Sequence, residues 1–181
     1  MSLSGVTWVM PLHIALLEPQ SAAATGAVAA RCAAVDASLH LVGPLGFALD
    51  GPEFVAARPP QWEALDWWHH PRWRDFRDAM SRERCLYFAA DGVNDAADAP
   101  YRPNSVLVFG SETLELPERI REKYPDRIFA VPRGTRGGTR LPDAVTAVLA
   151  LAGDRAGLPA APEQPPRRPR RRRPVSHGAK R

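Results

Sequence analysis

Short apolar runs recur along most of this chain and are separated by longer segments with helical character. The runs are continuous rather than alternating, which is typical of strands covered on both faces of a sheet. They predict strands at Leu12–Glu18, Ser38–Pro44, Cys85–Ala90, Ser105–Gly110 and Arg127–Pro132.

The segments between these strands predict helices. Residues 22–37 are rich in alanine, and the segment after Pro71 places Trp73, Phe76 and Met80 on one helical face. The predicted helices are Ala22–Ala37, Pro71–Arg84, Pro117–Lys123 and a last helix from Pro142 to Gly153. Strands that alternate with helices predict an α/β fold, in which a mostly parallel sheet with right-handed crossovers is flanked by helices.

Charge divides the chain into two parts. Residues 159–181 hold eight Lys or Arg and one acidic residue, whereas residues 1–158 hold 16 basic and 19 acidic side chains. The basic segment is also rich in proline and has no apolar periodicity, so we expect a disordered tail. Blocks of like charge often contact nucleic acid, and a merely solubilising end is the alternative. We therefore predict an N-terminal extension at 1–11, a domain at 12–158 and a tail at 159–181.

Composition and motifs exclude several classes of protein. No apolar run approaches the roughly 18 residues of a membrane span, and the first residues lack the charged start of a secretion signal, so we expect a cytoplasmic protein. Cys32 and Cys85 lie far apart in the chain and are expected to be reduced and buried. No GxGxxG motif follows the first strand, and no phosphate-binding GxxxxGK(S/T) motif is present. His69 and His70 are adjacent rather than four residues apart, so we expect no metal site.

Three predicted strands end in small or special residues. These ends are Ala89-Ala90-Asp91-Gly92, Phe109-Gly110-Ser111-Glu112 and Val131-Pro132, the last of which is followed by a glycine- and arginine-rich loop. Ligands of parallel α/β sheets bind beyond the carboxyl ends of the strands, and glycine allows close approach of the main chain. The pattern predicts a pocket built from main chain rather than from charged side chains.

The order of several short motifs resembles a known family. They are Leu16-Leu17-Glu18-Pro19, Thr25-Gly26, Leu39-His40-Leu41-Val42, Pro44-Leu45-Gly46-Phe47, Leu65-Asp66-Trp67 and, most specifically, Phe109-Gly110-Ser111-Glu112-Thr113 with Leu116-Pro117. In this order they resemble the SPOUT superfamily of RNA methyltransferases, and within it the small tRNA wobble-position (cytidine/uridine) 2′-O-methyltransferases. The resemblance covers most of residues 12–153.

The resemblance implies a fold with a C-terminal deep trefoil knot, a homodimer, tRNA as the RNA partner and S-adenosylmethionine as the cofactor. Glu112, in the Phe-Gly-x-Glu-Thr motif, and Arg140, where the family keeps an asparagine, are the candidate catalytic residues. Arg31 is a candidate RNA-binding residue. The implied cofactor-binding residues are Phe88, Gly92, Gly110, Leu116, Val131, Gly138 and Leu141. In the tail, the candidate RNA-binding residues are Arg167, Arg168, Arg170, Arg171, Arg172 and Arg173.

The chain departs from the family pattern in its first and last motifs. Family members begin the first helix with Asn-Thr-Gly-Asn and place an arginine one turn later, whereas here the helix reads Ala24-Thr25-Gly26-Ala27, with Ala30 at the arginine position and Arg31 one place further. Arg31 projects about 100° round the helix from Ala30. The leading function is an S-adenosylmethionine-dependent RNA 2′-O-methyltransferase, and the alternative is a catalytically impaired homologue that binds RNA or the cofactor. A third interpretation, an unrelated α/β nucleotide-binding protein, requires the order of the motifs to be a coincidence.

The tryptophans and two carboxylates allow further interpretations. Trp62, Trp67, Trp68 and Trp73 either stack bases or pack a core edge or subunit interface, and the large area that tryptophan buries favours packing. Glu18 and Asp66 are carboxylates that the sequence does not place together.

Overall fold

The computed structural model describes residues 11–132 and 139–155. These residues form one seven-stranded sheet in which every strand pairing is parallel. The strands are β1 His13–Leu17, β2 Ser38–Val42, β3 Trp67–His70, β4 Cys85–Ala89, β5 Asn94–Asp95, β6 Val106–Phe109 and β7 Ile128–Ala130. The order across the sheet is β3-β2-β1-β6-β4-β7-β5.

Within residues 11–132 and 139–155, five helices flank the sheet: α1 Ala22–Val35, α2 Pro52–Ala57, α3 Trp73–Ala79, α4 Glu118–Lys123 and α5 Leu141–Arg155. Alternate residues of β1 supply both faces of the core. Ile14 and Leu16 pack with residues of α1, α2 and α5, whereas Ala15 and Leu17 pack with residues of α3 and α4. Helices on both faces explain why the predicted strands read as continuous apolar runs, and they confirm the α/β fold class.

The junction between β1 and α1 is closely packed. Ser21 is the N-cap of α1, and its side chain accepts a hydrogen bond from the amide of Ala24 at 3.1 Å. A Cβ atom at Gly26 would overlap the carbonyl oxygen of Ala57, so only glycine lets α1 approach the end of α2 this closely.

The structure differs from the sequence prediction at the sheet edges and at one helix. The helix predicted at Pro71–Arg84 is shorter, because Met80 has an extended backbone and residues 82–84 form a separate 3-10 turn. Strands β3 and β5 and helix α2 were not predicted. β3 is an edge strand whose middle residues, Trp68 and His69, face solvent, so its sequence lacks the continuous apolar run of a central strand.

None of the helices in the described part of the chain is long and apolar enough to cross a membrane. The predicted tail at 159–181 and most of the predicted extension at 1–11 lie outside the described residues. The domain boundaries stay a prediction.

Candidate functional site

The residues that directly follow β4, β6 and β7 lie side by side at the carboxyl edge of the sheet, because β4 pairs with both β6 and β7. Main-chain hydrogen bonds join them. The amide of Ala90 donates to the carbonyl of Leu114 at 3.1 Å, and the amide of Val131 donates to the carbonyl of Ala89 at 3.0 Å. The three strand ends with small residues are thus brought together as the sequence predicts.

The loop after β6 folds back tightly on itself. A Cβ atom at Gly110 would overlap the carbonyl oxygen of Glu115, and the amide of Leu114 donates to the carbonyl of Ser111 at 2.9 Å. Leu114 is buried and has a φ of 57°, a conformation that is uncommon for a bulky side chain. Backbone strain of this kind is concentrated at ligand sites in proteins.

Glu112 joins this loop to the start of α1. Its carboxylate accepts hydrogen bonds from the amides of Gln20, at 3.1 and 3.2 Å, and of Ser21, at 2.8 Å. A carboxylate is favourable there because the first amides of a helix have no partner within the helix and carry partial positive charge. Glu112 therefore holds the β6 loop against the β1 loop. Its assignment as a catalytic residue stays a prediction.

The loop after β4 is held from two sides. A Cβ atom at Gly92 would overlap the main chain of Phe129 and Ala130, so this glycine lets the loop lie against β7. Asp91 forms a bidentate ion pair with Arg121, with oxygen–nitrogen distances of 2.7 and 3.0 Å. The hydrogen bond from Arg121 lowers the pKa of the Asp91 carboxyl.

The other predicted cofactor residues are mostly buried. Phe88 stacks on Phe109 with ring centroids 5.3 Å apart, so its side chain belongs to the core. Leu116, Val131 and Leu141 are also buried, at the ends of the loops. Gly138 lies outside the described residues.

The two arginines predicted near the RNA face solvent. The side chain of Arg140 is 85% exposed and lies 3.4 Å from the carboxylate of Asp143. Arg31 is exposed on α1, as is Ala30 before it. Both guanidinium groups are accessible to an RNA, and neither role is tested by this geometry. The six tail arginines lie outside the described residues.

A second part of the carboxyl edge was not identified from the sequence as a site. A cavity of about 360 Å³ lies beyond β2 and β3. It is lined by residues of the segment 43–50, among them Pro44, Leu45 and Phe47, and by His69 and Pro71. The amide of Gly46 donates to the carbonyl of Pro19 at 2.9 Å, which ties the cavity loop to the loop after β1. The only sequence signal was Pro44-Leu45-Gly46-Phe47, noted above for its resemblance.

A hydrogen-bonded chain of side chains crosses β1, β2 and β3 on the α3 face. Nε2 of His13 donates to Oδ1 of Asn104 at 2.7 Å, and Nδ1 of His13 then accepts from His40 at 3.0 Å. Nδ1 of His40 accepts from Nε2 of His70, also at 3.0 Å. Burial, followed by repulsion from His13, His70 and Arg84, lowers the pKa of His40 to about 3. Within the described residues, no group of three His, Cys, Asp or Glu side chains is arranged to hold a metal ion.

The tryptophans and the two carboxylates named from the sequence lie mostly in packing contacts or pairs. Trp62 packs against Trp67 with centroids 4.6 Å apart, and Trp73 packs on Phe76, whereas Trp68 is 43% exposed on the edge strand. Glu18 pairs with Arg119, and Asp66 accepts a hydrogen bond from Ser38. The structure therefore does not bring Glu18 and Asp66 together as an acid–base pair.

The fold and these loops define an α/β domain with a candidate main-chain ligand site at the carboxyl edge of a parallel sheet. The chain belongs to the SpoU rRNA Methylase family, whose model matches residues 11–136. This confirms the family resemblance that the Phe109–Thr113 motif indicates.

Curated relatives are similar over most of the chain. A tRNA (cytidine(34)-2′-O)-methyltransferase of Burkholderia ambifaria is 31% identical over 150 residues, which are 81% of this chain and 96% of that protein. An enzyme of the same name from Acidovorax is 34% identical over 117 residues, 62% of this chain and 71% of its own length.

Solved structures agree with this placement. A structure described as giving insights into the 2-OH methylation of C/U34 on tRNA has a TM-score of 0.71 and 29% identity, and the match covers 81% of this chain and 91% of that one. A SpoU methyltransferase from Streptomyces viridochromogenes, solved with AdoMet, shares the fold at a TM-score of 0.67 and 19% identity, over 84% of this chain and 62% of that one.

Proposed function

We propose that this protein transfers a methyl group from S-adenosylmethionine to a ribose 2′-hydroxyl of tRNA, at the cytidine or uridine of position 34. The observation that carries the proposal is the interlocked β6 loop. Its Gly110 and Glu112 stand in the most specific motif of the family, and it contacts the loops after β1 and β4. The choice of tRNA as the substrate and of position 34 as the methylated nucleotide rests on the names of the relatives.

The loops suit the proposed cofactor. Leu116, Val131 and Leu141 supply apolar groups beside a main chain whose amides and carbonyls are available in any sequence. We assign cofactor binding to these residues together with Phe88, Gly92, Gly110 and Gly138, of which Phe88 contributes through its main chain. S-adenosylmethionine supplies an activated methyl group on a sulfonium.

The chain contributes mainly by positioning the reactants, because methyl transfer from a sulfonium to a hydroxyl requires in-line alignment and little other chemistry. Glu112 holds the β6 loop on the first turn of α1 and thereby fixes one wall of the site. Arg140, exposed at the start of α5, is assigned to the ribose or a neighbouring phosphate, and Arg31 to the RNA backbone.

The knot, the oligomeric state and the cellular compartment are proposed on the basis of the same family membership. We infer that the C-terminal part of the domain contains a deep trefoil knot, that two chains form a homodimer near the candidate cofactor site, and that the enzyme works in the cytoplasm on tRNA. The close main-chain contacts of Ala89 with Val131 and of Ala90 with Leu114 support the knot.

Methyl transfer to total tRNA tests the proposal. Labelled S-adenosylmethionine, the full chain and tRNA from cells that lack the native modification are incubated, and the labelled nucleoside is mapped by digestion. We expect 2′-O-methylcytidine or 2′-O-methyluridine at position 34. Label on a base, or at a ribose elsewhere, would overturn the proposed position.

A catalytically impaired homologue is the second candidate. It is favoured by Ala24, Ala27 and Ala30, which replace polar residues of the family's first motif and of which Ala27 and Ala30 are exposed on α1. Binding of both S-adenosylmethionine and tRNA without any transfer would establish this candidate instead.

A further inference from the structure

A basic pocket of about 430 Å³ lies at the edge of the sheet opposite to the candidate methyl-transfer site. It is lined by Arg84, Arg102, Arg127, Glu83 and Ser105, together with Leu86 and two prolines. Arg84 directly precedes β4, Ser105 precedes β6 and Arg127 precedes β7. These are the amino ends of three adjacent parallel strands. At about 3.3 Å per strand residue, the two edges are roughly 15 Å apart.

Hydrogen bonds hold the side chain of Arg127 and the main chain of Arg102. Nη1 of Arg127 donates to the carbonyl of Arg82 at 2.6 Å and approaches that of Cys85 at 3.5 Å. The amide of Arg102 donates to Oγ of Ser105 at 2.9 Å, and the amide of Ser105 donates back to the carbonyl of Arg102 at 3.0 Å. Main-chain carbonyls therefore position the Arg127 side chain, whereas the turn fixes only the main chain of Arg102, whose side chain is exposed.

The charge in the pocket is not balanced, because the lining contains three arginines and a single carboxylate, that of Glu83. In residues 11–132 and 139–155, no carboxylate lies within ion-pair distance of Arg84, Arg102 or Arg127. Nε of Arg84 is in addition buried and has no hydrogen-bond partner. Burying a charged donor without a partner is unfavourable, and like charges in a concave site repel one another. An anion bound in the pocket lowers the repulsion among the three guanidinium groups.

We propose that Arg84, Arg102 and Arg127 form a phosphate-binding pocket. Guanidinium groups pair with phosphate oxygens through two parallel N–H donors, and three of them in one concavity suit a group with several oxygens. The phosphate belongs either to the RNA backbone, at some distance from the methylated ribose, or to a small phosphate compound. Neither source depends on the proposed methyl transfer, because the pocket shares no residue with that site.

Charge-removing variants test the pocket. Arg84→Gln, Arg102→Gln and the double variant are compared with Arg74→Gln, which removes an exposed arginine of α3 outside the pocket. tRNA affinity is measured from 50 to 300 mM salt, and binding of pyrophosphate is measured by calorimetry and by the shift in Tm. The Tm of each variant without added ligand serves as the check that it is folded.

The results distinguish the two sources of phosphate. If the phosphate is the RNA backbone, each pocket substitution lowers the log–log salt slope of tRNA binding by about 0.7–0.9, and the double variant by twice that, with Arg74→Gln unchanged. If it belongs to a small molecule, pyrophosphate raises the Tm of the native protein and of Arg74→Gln but not of the double variant, with tRNA binding unaltered. Unchanged tRNA slopes together with no binding of pyrophosphate would overturn the proposal, while leaving the methyl-transfer assay unaffected.

Discussion

Glu112 shows how one side chain links parts of the site that are distant in sequence. Its carboxylate accepts three hydrogen bonds from the amides of Gln20 and Ser21, more than 90 positions earlier in the chain. It is therefore placed to set the distance between the β6 loop and the first turn of α1. A shift of the loop by a fraction of an ångström changes the alignment of the reacting atoms before it changes affinity.

Replacement of Glu112 by Gln is expected to separate alignment from affinity. We expect the rate of methyl transfer to fall about tenfold, corresponding to roughly 1.4 kcal/mol in the activation free energy, while the Kd for S-adenosylmethionine changes less than about threefold. Single-turnover kinetics and calorimetry measure the two quantities. Glu115→Gln, an exposed carboxylate on the same loop, is the matched control. Equal losses of rate and of affinity would make Glu112 a structural residue of the loop.

The sequence identifies Glu112 as a candidate but not its partners. The Phe-Gly-x-Glu-Thr motif and the proline after it identify the loop, because a glycine and a proline that interrupt an apolar run can be recognised from the sequence alone. The amides of Gln20 and Ser21 are main-chain groups, which every residue except proline carries. Only the parallel pairing of β1 with β6 brings them to the carboxylate.

At the scale of the elements, the sequence predicts the central strands better than the edges. β1, β2, β4, β6 and β7 are covered on both faces and therefore appear as continuous apolar runs. β3 has two exposed residues in its middle and contains two histidines, and β5 has two residues, so neither forms such a run. Gly26 lowers the helical propensity of α1, and its packing role depends on α2, a short helix that has no distinct pattern.

The histidine chain across β1, β2 and β3 predicts a loss of stability in mild acid. The pKa of His40 is about 3 in the folded protein and about 6.5 in an unfolded chain. The unfolded state therefore takes up a proton between these values and the folded state does not, so stability that is present above pH 6.5 is lost as the pH falls. For His40 alone the loss from pH 7 to pH 5 is about 2 kcal/mol.

Urea unfolding at pH 7 and pH 5, at a constant protein concentration, measures this effect. The groups that face His40 are His13, His70 and Arg84, all of which oppose its protonation, while Asp75 favours protonation of His70. His40→Gln keeps a donor and an acceptor but does not titrate, and we expect its free energy of unfolding to fall about 2 kcal/mol less than that of the native protein. The same fall in both proteins would contradict the prediction.

At the scale of the whole molecule, the charge is distributed unevenly. Residues 1–158 are net acidic, and the overall charge of +4 comes from the segment after them. Arg167, Arg168, Arg170, Arg171, Arg172 and Arg173 provide six guanidinium groups within seven positions. Contacts between arginine and phosphate raise affinity for any RNA, whereas base contacts determine which RNA is chosen.

A chain that ends at Leu158 is therefore expected to bind tRNA more weakly without changing its preference. If the six arginines neutralise about five phosphates, the log–log salt slope falls by roughly 3.5–4.5 units. The control is the full-length chain with these arginines replaced by Gln, and S-adenosylmethionine binding should be the same in all three proteins. An unchanged slope would show that the segment does not contact RNA, and an altered choice among tRNAs would show that it takes part in selection.

The position of β1 has a consequence for how the molecule is made. β1 is the first strand of the described residues, yet its partner β6 comes roughly 90 positions later, with His13 aligned to Val106. Ribosomes add about 5–20 residues per second, so β1 waits some 5–20 s for this neighbour. During that interval one edge of an apolar strand stays open to pairing with other chains. Newly synthesised protein is therefore most vulnerable to misassociation before Phe109 emerges, and that interval is when a chaperone would be of most use.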